Sequence, residues 1–401
     1  MSLTWAQWEF IILFSVRYLR LVVQTIAHWL YKPIPILQSP TLSHENVTII
    51  LPTISNHIEE LREPLLSMIA CNPHEIFIVT TESRCETLQI FVQSINEKNL
   101  YVLHVPVANK RLQVCQAIPL IKTSITVIVD DDVIWPRTIL PWLMAPFEDQ
   151  GIGAVGTSQR VRRIKNGTLA EKLYNWIGAG YIERRNFETS ATHKIDGGTS
   201  CMSGRTVALR TPVLQSPDFL EGYAGETWGG KPLHADDDNF ITRWLVFKGL
   251  KTWVQHNMAC EIETTLENNI KLLYQCARWA RSNWRSNLKS INEGHIWKQQ
   301  PWCSYALHLT MFMNFAIVYD PFLIWKCYQS TSSFNKSAKA YYRAVFWIWL
   351  LITKNVKLIG LYKRNVWDIS FLPVSIFFGY FHSFIKFYAL VTLDKTGWGS
   401  R

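Results

Sequence analysis

Four apolar stretches constrain this chain more than any other feature. One spans residues 10–31, and three, 304–325, 340–352 and 369–393, fill the C-terminal part. A bilayer core of ~30 Å is crossed by a helix of ~20 apolar residues. Lipid offers no hydrogen-bond partner, so such stretches must satisfy their own backbone groups as helices. The first stretch has no small-residue cleavage site, so a removable signal peptide is not expected. Its polar residues Arg17, Arg20, Gln24 and His28 recur at helical spacing. That stripe should face other helices or lie at the membrane surface. In the C-terminal part, 304–325 and 369–393 are long enough to span, whereas Lys354 and Lys357 interrupt the extension of 340–352 toward Leu361. His308, Asn314, Asp320, His382 and Lys386 lie inside these stretches. They serve either as helix-packing and snorkelling groups or as the lining of a water-filled path.

The charge balance agrees with a membrane protein. The formal net charge is +10, but residues 32–301 hold 28 Lys and Arg against 27 Asp and Glu. The excess flanks or interrupts the apolar ends, where basic residues mark the cytoplasmic side of a membrane protein. The nearly neutral middle offers no basic face to nucleic acid, so nucleic-acid binding is excluded. A chain that is 48% hydrophobic and 18% charged is not disordered either. Its eight Cys show no C-x-x-C or zinc-like spacing and read as reduced, mostly buried thiols.

Between the apolar ends, short β-branched runs at 47–51, 75–80, 101–107 and 125–129 alternate with amphipathic stretches. The runs at 154–158 and 202–209 add strands. This pattern predicts an α/β domain with a mostly parallel sheet, whose ligands bind beyond the carboxyl ends of the strands.

Three motifs carry chemistry. Asp130-Asp131-Asp132 follows the buried run Val127-Ile128-Val129. A divalent cation bridging phosphate oxygens would offset the repulsion among its carboxylates; a solvated turn or helix cap would also accommodate them. His234-Ala235-Asp236-Asp237-Asp238-Asn239 opens a helical pattern through Ile241, Leu245 and Val246. The helix dipole favours carboxylates there, and one held in that place can act as a base toward a sugar hydroxyl. Gln275-Cys276-Ala277-Arg278-Trp279 lies on a helix whose Arg281, Arg285 and Lys289 form a basic face. Such a helix suits an anionic lipid surface, and its planar Arg278 can also clamp phosphate.

Taken in this order, the motifs resemble the processive family-2 glycosyltransferases, the hyaluronan, chitin and cellulose synthases, with the closest likeness to the hyaluronan-synthase type and its fungal relatives. Asp130-Asp131-Asp132 is similar to the family's D-x-D, and Asp237-Asp238-Asn239-Phe240-Ile241-Thr242 to its D-D-R-x-L-T. Gln275 to Trp279 matches Q-x-x-R-W, and Trp398-Gly399-Ser400-Arg401 resembles the W-G-T-(S-G-)R gating loop. Asn109-Lys110-Arg111 looks like the G-K-R element, while Gly197-Gly198-Thr199 and Cys201-Met202-Ser203-Gly204 sit where the family has its acceptor-side loop. The sequence departs from the family at Val79-Thr80-Thr81-Glu82, where an Asp usually recognises uracil, and at Asn239, which replaces an Arg.

The resemblance implies a GT-A-type cytosolic domain with a mostly parallel sheet, flanked by transmembrane and interfacial helices. Its segments would be a membrane helix (1–31), the glycosyltransferase domain (32–270), an interfacial helix (271–300) and C-terminal membrane helices ending in the gating-like element (301–401). It implies an integral membrane enzyme, at the plasma membrane, that transfers sugar from a UDP-sugar to a growing polysaccharide or glycan with inversion. Pro52, Thr53, Thr81, Lys110, Arg111, Asp130 and Arg278 would contact the nucleotide, and Asp130 and Asp132 would hold Mn²⁺ or Mg²⁺. Asp238 would be the general base with Asp237 beside it. Gln275, Trp279, Cys201 and Gly204 would line the acceptor side, and Trp398 and Arg401 would gate. Membrane lipids are the expected surroundings. A gating role needs Trp398 on the cytosolic side, so one C-terminal stretch, 340–352 foremost, is expected to be interfacial or re-entrant. Two other readings fit the same motifs: a non-processive glycolipid synthase like ceramide glucosyltransferase, and an inactive sugar-binding sensor or transporter.

Overall fold

The computed structural model describes residues 3–397. Seven strands form the central sheet: β1 (Val47–Pro52), β2 (Glu75–Thr81), β3 (Leu100–Val105), β4 (Ile125–Val129), β5 (Ile152–Thr157), β6 (Thr206–Arg210) and β7 (Lys251–Gln255). Their spatial order is β7-β5-β6-β4-β1-β2-β3. Every neighbouring pair is parallel except the two made by β6, which runs antiparallel between β4 and β5. The expected strands are all present, with 202–209 shortened at its start to β6.

Alternation along the strands feeds two cores. Ile49, Leu51, Ile76, Ile78, Val127 and Val129 pack on one face of the sheet. Ile50, Phe77, Val79 and Ile128 pack on the other. Both faces are therefore apolar and covered, as a parallel sheet between helices requires. The strand ends then offer polar side chains of the sheet a place to converge outside these two cores.

The helices that matter to the site are α1 (Trp5–Leu30), α2 (Lys110–Ala117), α3 (Leu169–Ile195), α4 (Asp237–Phe247), α5 (Lys271–Ile291), α6 (Ala316–Ser330), α7 (Lys336–Asn355) and α8 (Leu372–Leu390). Thr168 and Glu171 close a capping box that starts α3, whose 27 residues make a rod about 40 Å long. Among the described residues, Trp5–Leu30, Lys336–Arg364 and Val366–Leu390 are long and apolar enough to cross a membrane.

The polar stripe of α1 faces protein. Gln24 is fully buried, Arg17 Nη1 donates to Asn314 Oδ1 at 2.6 Å, Arg20 pairs with Glu188 at 2.8 Å, and the His28 ring meets Ser190 Oγ at 2.7 Å. Helices α6 and α7 run beside the N-terminal half of α1, where Lys326 pairs with Glu9 at 2.7 Å and Phe346 packs against Phe10.

The C-terminal stretches differ from expectation in three ways. Residues 304–325 do not form one straight span: Pro301–Met313 and α6 meet at 84°. The carbonyls of Met311 and Asn314, freed by this break, accept from the Lys386 ammonium at 2.7 and 3.1 Å. The interrupted stretch 340–352 lies in the continuous helix α7, so it is not re-entrant. Third, both ends of the stretch that contains α8 reach the α/β domain or the helix packed on it. Asp368 pairs with Arg163 at 2.9 Å, and the Leu393 carbonyl accepts from Arg285 at 3.1 Å.

The basic face of α5 is likewise turned inward rather than toward lipid. Arg285 is buried against Asp236, Lys289 pairs with Glu226 at 2.5 Å, and Arg281 donates to Thr392. Spacing showed a basic face; what satisfies it is protein carboxylate and hydroxyl.

Candidate active site

Chain leaving β1 and β4 builds one wall. Thr53, just beyond β1, donates its hydroxyl to Asp131 at 2.7 Å. This orients the middle carboxylate of the first triplet toward the strand end, while Asp130 and Asp132 also line a cavity of about 1000 Å³. Asn109 caps α2 by accepting from the backbone N–H groups of Arg111 and Leu112. Lys110 thereby projects from the first turn, with its ammonium 2.7 Å from Asp130 and 3.0 Å from Asp237. Burial opposes its charge, but those two carboxylates outweigh it and hold the Lys110 pKa well above the lysine range. One buried cation thus ties the two acidic triplets together.

The second triplet is sorted by its backbone. Asp236 takes a left-handed φ of 64°, a conformation that costs a non-glycine residue free energy. Its carboxylate turns back to α5, accepting from Arg285 Nε at 2.7 Å and Nη2 at 2.9 Å and from the Ser282 hydroxyl. Asp237 and Asp238 then occupy the first turn of α4 and face the cavity. Burial would raise Asp237, but Lys110 and Arg111 prevail and hold it below the usual aspartate range. Burial, and next the charge of Asp237, push Asp238 above that range. Asp238 is steadied by the backbone N–H of Asn239 at 2.8 Å and of Gly204 at 3.4 Å. A side chain at position 204 would come within 2.8 Å of the Lys110 ammonium, so glycine permits this close approach.

Helix α5 closes the site with Gln275, Arg278 and Trp279. Trp279 contacts the Arg205 guanidinium, 5.3 Å from its ring centroid, and the Tyr181 ring at 5.1 Å. Among the described residues, Arg278 Nε and Gln275 Oε1 are buried without a protein partner. Buried donors and acceptors are normally satisfied, so these two atoms suit a ligand.

A family model described as Glycosyltransferase like family 2 matches residues 45–282. The chain belongs to this glycosyltransferase family. A type 2 glycosyltransferase of Gibberella zeae is 54% identical over 387 residues, covering 96% of this chain and 74% of that protein. Hyaluronan synthase 3 of Xenopus laevis is 25% identical over 279 residues, 67% of this chain and 45% of that one. A mannosyltransferase of Pyrobaculum calidifontis, solved with GDP-Man and Mn²⁺, shares the fold at a TM-score of 0.60 and 19% identity, covering 97% of this chain and 99% of that chain. The glycosyltransferase domain is accordingly GT-A-like, with a mixed and mostly parallel sheet. Its candidate spans make the enzyme a membrane protein, and its family makes it act on a nucleotide-sugar donor and a glycan acceptor.

Most residues singled out in the sequence meet in the cavity of this glycosyltransferase: Pro52, Lys110, Asp130, Asp132, Cys201, Gly204, Asp237, Asp238, Gln275, Arg278 and Trp279. Three stand behind it. Thr53 supports Asp131, and Thr81 is buried with its hydroxyl on Ser83. Arg111 is 1% exposed and spent on Glu226 and the carbonyls of Tyr223 and Ala235, so it braces the chain leading to Asp236 instead of meeting solvent. Trp398 and Arg401 lie outside the described residues. Just before them, the Thr396 carbonyl accepts from the backbone N–H groups of His234 and Ala235, both at 3.2 Å.

Sequence reasoning missed Arg185 and Arg205. Arg185 donates to the Cys201 carbonyl at 2.9 Å, and burial followed by Asp238 drives the Cys201 thiol well above its ordinary range. The T-x-x-E box at Thr168 signals the helix that carries Arg185; nothing local singles out Arg205. For a cation, the described residues contain no cluster of three His, Cys, Asp or Glu side chains. Asp130 and Asp132 nevertheless place carboxylates on the cavity wall that would serve as hard oxygen ligands, and donor phosphates commonly complete such a Mg²⁺ or Mn²⁺ sphere. The residues present fit that role.

Proposed function

We propose that this family-2 enzyme transfers sugar from a UDP-sugar to a growing polysaccharide, with inversion and with passage of the product between its membrane helices. The observation that carries this reading is the meeting of both aspartate triplets, through Lys110, in a cavity that continues past Trp279 to α1, α7 and α8. Asp130 and Asp132 would hold Mn²⁺ or Mg²⁺, which supplies charge compensation to the donor diphosphate. Lys110 holds Asp237 ionised, and the ionised Asp237 leaves Asp238 as the more basic carboxylate. Asp238 takes the proton of the acceptor hydroxyl. The hydroxyl oxygen forms a bond to the anomeric carbon as the bond to the diphosphate breaks, and the electron pair leaves on the diphosphate beside Arg278. Trp279 stacks against the acceptor sugar. Trp398 and Arg401 would close over the donor, following a segment already anchored at His234. The motif resemblance supports UDP as the nucleotide, a cytosolic domain and a plasma-membrane location.

The test is incubation of the full chain in lipid nanodiscs with individual labelled UDP-sugars and Mn²⁺, followed by sizing of the product. A product growing to high mass is expected. A single sugar on a lipid would favour the glycolipid synthase, and release of no sugar at all would favour a binding protein.

A further inference from the structure

The membrane-level end of the cavity carries more positive charge than its own carboxylates balance. Arg17, Arg20, Arg184, Lys354, Lys357 and Lys386 line it, contributed by α1, α3, the α7 region and α8. Glu188 serves Arg20 and Lys357, and Asp320, just behind the wall, serves Arg17 and Lys354. No carboxylate among the described residues forms an ion pair with Arg184 or Lys386. Arg184 donates to the Gly180 carbonyl and the Ser375 hydroxyl, and Lys386 donates to the two carbonyls at the break before α6. Among the described residues, Arg17 Nε is buried with no partner. Excess cations on apolar helices are expensive unless an anion joins them. A neutral glycan gives no such compensation.

We propose that this chamber is a binding site for the phosphate head of a membrane lipid. Phosphate oxygens accept several charge-assisted hydrogen bonds at once, which suits guanidinium and ammonium groups converging from separate helices. A lipid is favoured over a soluble anion because helices with exposed apolar faces wall the chamber. Val16 and Leu19 on α1, Trp347 and Leu351 on α7, and Phe384 and Phe387 on α8 remain outward and apolar. The chamber also adjoins the acceptor end of the site, since Tyr181 contacts both Trp279 and His382. Its occupant therefore shares that end of the cavity and would have to leave before a product passes between the same helices. The inference rests on the membrane reading of the helices, not on the identity of the sugar or on catalysis.

The experiment measures binding to the full chain in detergent, without donor, by native mass spectrometry and titration. Probes are dioctanoyl phosphatidate, dioctanoylglycerol, inorganic phosphate and a short glucuronate-containing oligosaccharide. One saturable phosphatidate site is expected, with no binding of dioctanoylglycerol. Lys386→Met and Arg184→Met should each weaken it by ~10-fold or more, the effect of losing one charge-assisted contact. Lys386→Arg, which keeps charge and fold, should bind nearly as wild type and serves if the methionine variants do not fold. Equal phosphatidate binding by wild type and the methionine variants would overturn the site. Inorganic phosphate binding as tightly as phosphatidate, or the oligosaccharide displacing it at lower concentration, would overturn the lipid assignment. Because no sugar is transferred in this assay, an inactive enzyme that still binds phosphatidate would count against the polymerase reading alone.

Discussion

Asp130-Asp131-Asp132 leaves a buried strand, whereas Asp236-Asp237-Asp238 enters a helix, and the two backbones sort identical side chains differently. At the strand end, the middle carboxylate is held by Thr53, and all three aspartates line the cavity. At the helix start, the first carboxylate is drawn into a buried pair with Arg285, the second is held by Lys110, and the third is pushed toward basicity. The contrast supports the proposal that one triplet holds a cation and the other transfers a proton. A turn just past the strand leaves the three carboxylates of the first triplet on one cavity wall, whereas the helix start gives each residue of the second its own surroundings.

The comparison breaks most visibly at the first triplet. Asp132→Ala should remove the Mn²⁺-dependent part of UDP affinity, a fall of ~10²-fold or more, since even outer supports of a metal site account for ~10–100-fold. Calorimetry with and without Mn²⁺ reads this directly, and an unchanged affinity would separate the triplet from the cation. At the second triplet, Arg285→Met strands Asp236 in a site where both side chains are 1% exposed. Breaking such a pair costs about 3–5 kcal/mol, so the variant should melt well below wild type in the same detergent. It should also release the Leu393 and Lys395 carbonyls that Arg285 holds. A melting curve matching wild type would show that Asp236 is not a structural member of its triplet.

The smallest effect sharpens the division within the helix. As the proposed general base Asp238 would work deprotonated, and its raised pKa means that activity should be lost on acidification at a higher pH than an ordinary aspartate would allow. Asp237 contributes to that elevation, so Asp237→Asn should move the acid limb of kcat/KM to lower pH. A limb that moves upward, or stays in place, would remove the proposed coupling.

Much of this arrangement is legible in the sequence because it depends on short-range order. Alternating Ile49, Ile50 and Leu51 announce a strand buried on both faces, and three aspartates directly after Val129 must then stand at its carboxyl end. Gln275, Arg278 and Trp279, three and four residues apart, likewise fall on one wall. What spacing cannot show is which partner satisfies a charge. Arg281, Arg285 and Lys289 have the periodicity of a lipid-facing stripe, yet they meet protein groups contributed from distant parts of the chain. Arg111 sits in a motif that resembles a diphosphate-binding element, yet Glu226 and two carbonyls claim its guanidinium. The break at Asn314 has no glycine or proline at its vertex. Arg17 and Lys386, which approach from the first and last apolar helices, meet it through the Asn314 side chain and carbonyl.

The most direct test of this division of labour measures UDP affinity and turnover side by side in Asp238→Asn, with Mn²⁺ present. Affinity should stay close to wild type while turnover falls by at least ~10²-fold, the scale of losing a general base. Turnover near wild type, or a parallel loss of affinity and turnover, would contradict the assignment of proton transfer to the helix triplet and donor binding to the strand triplet.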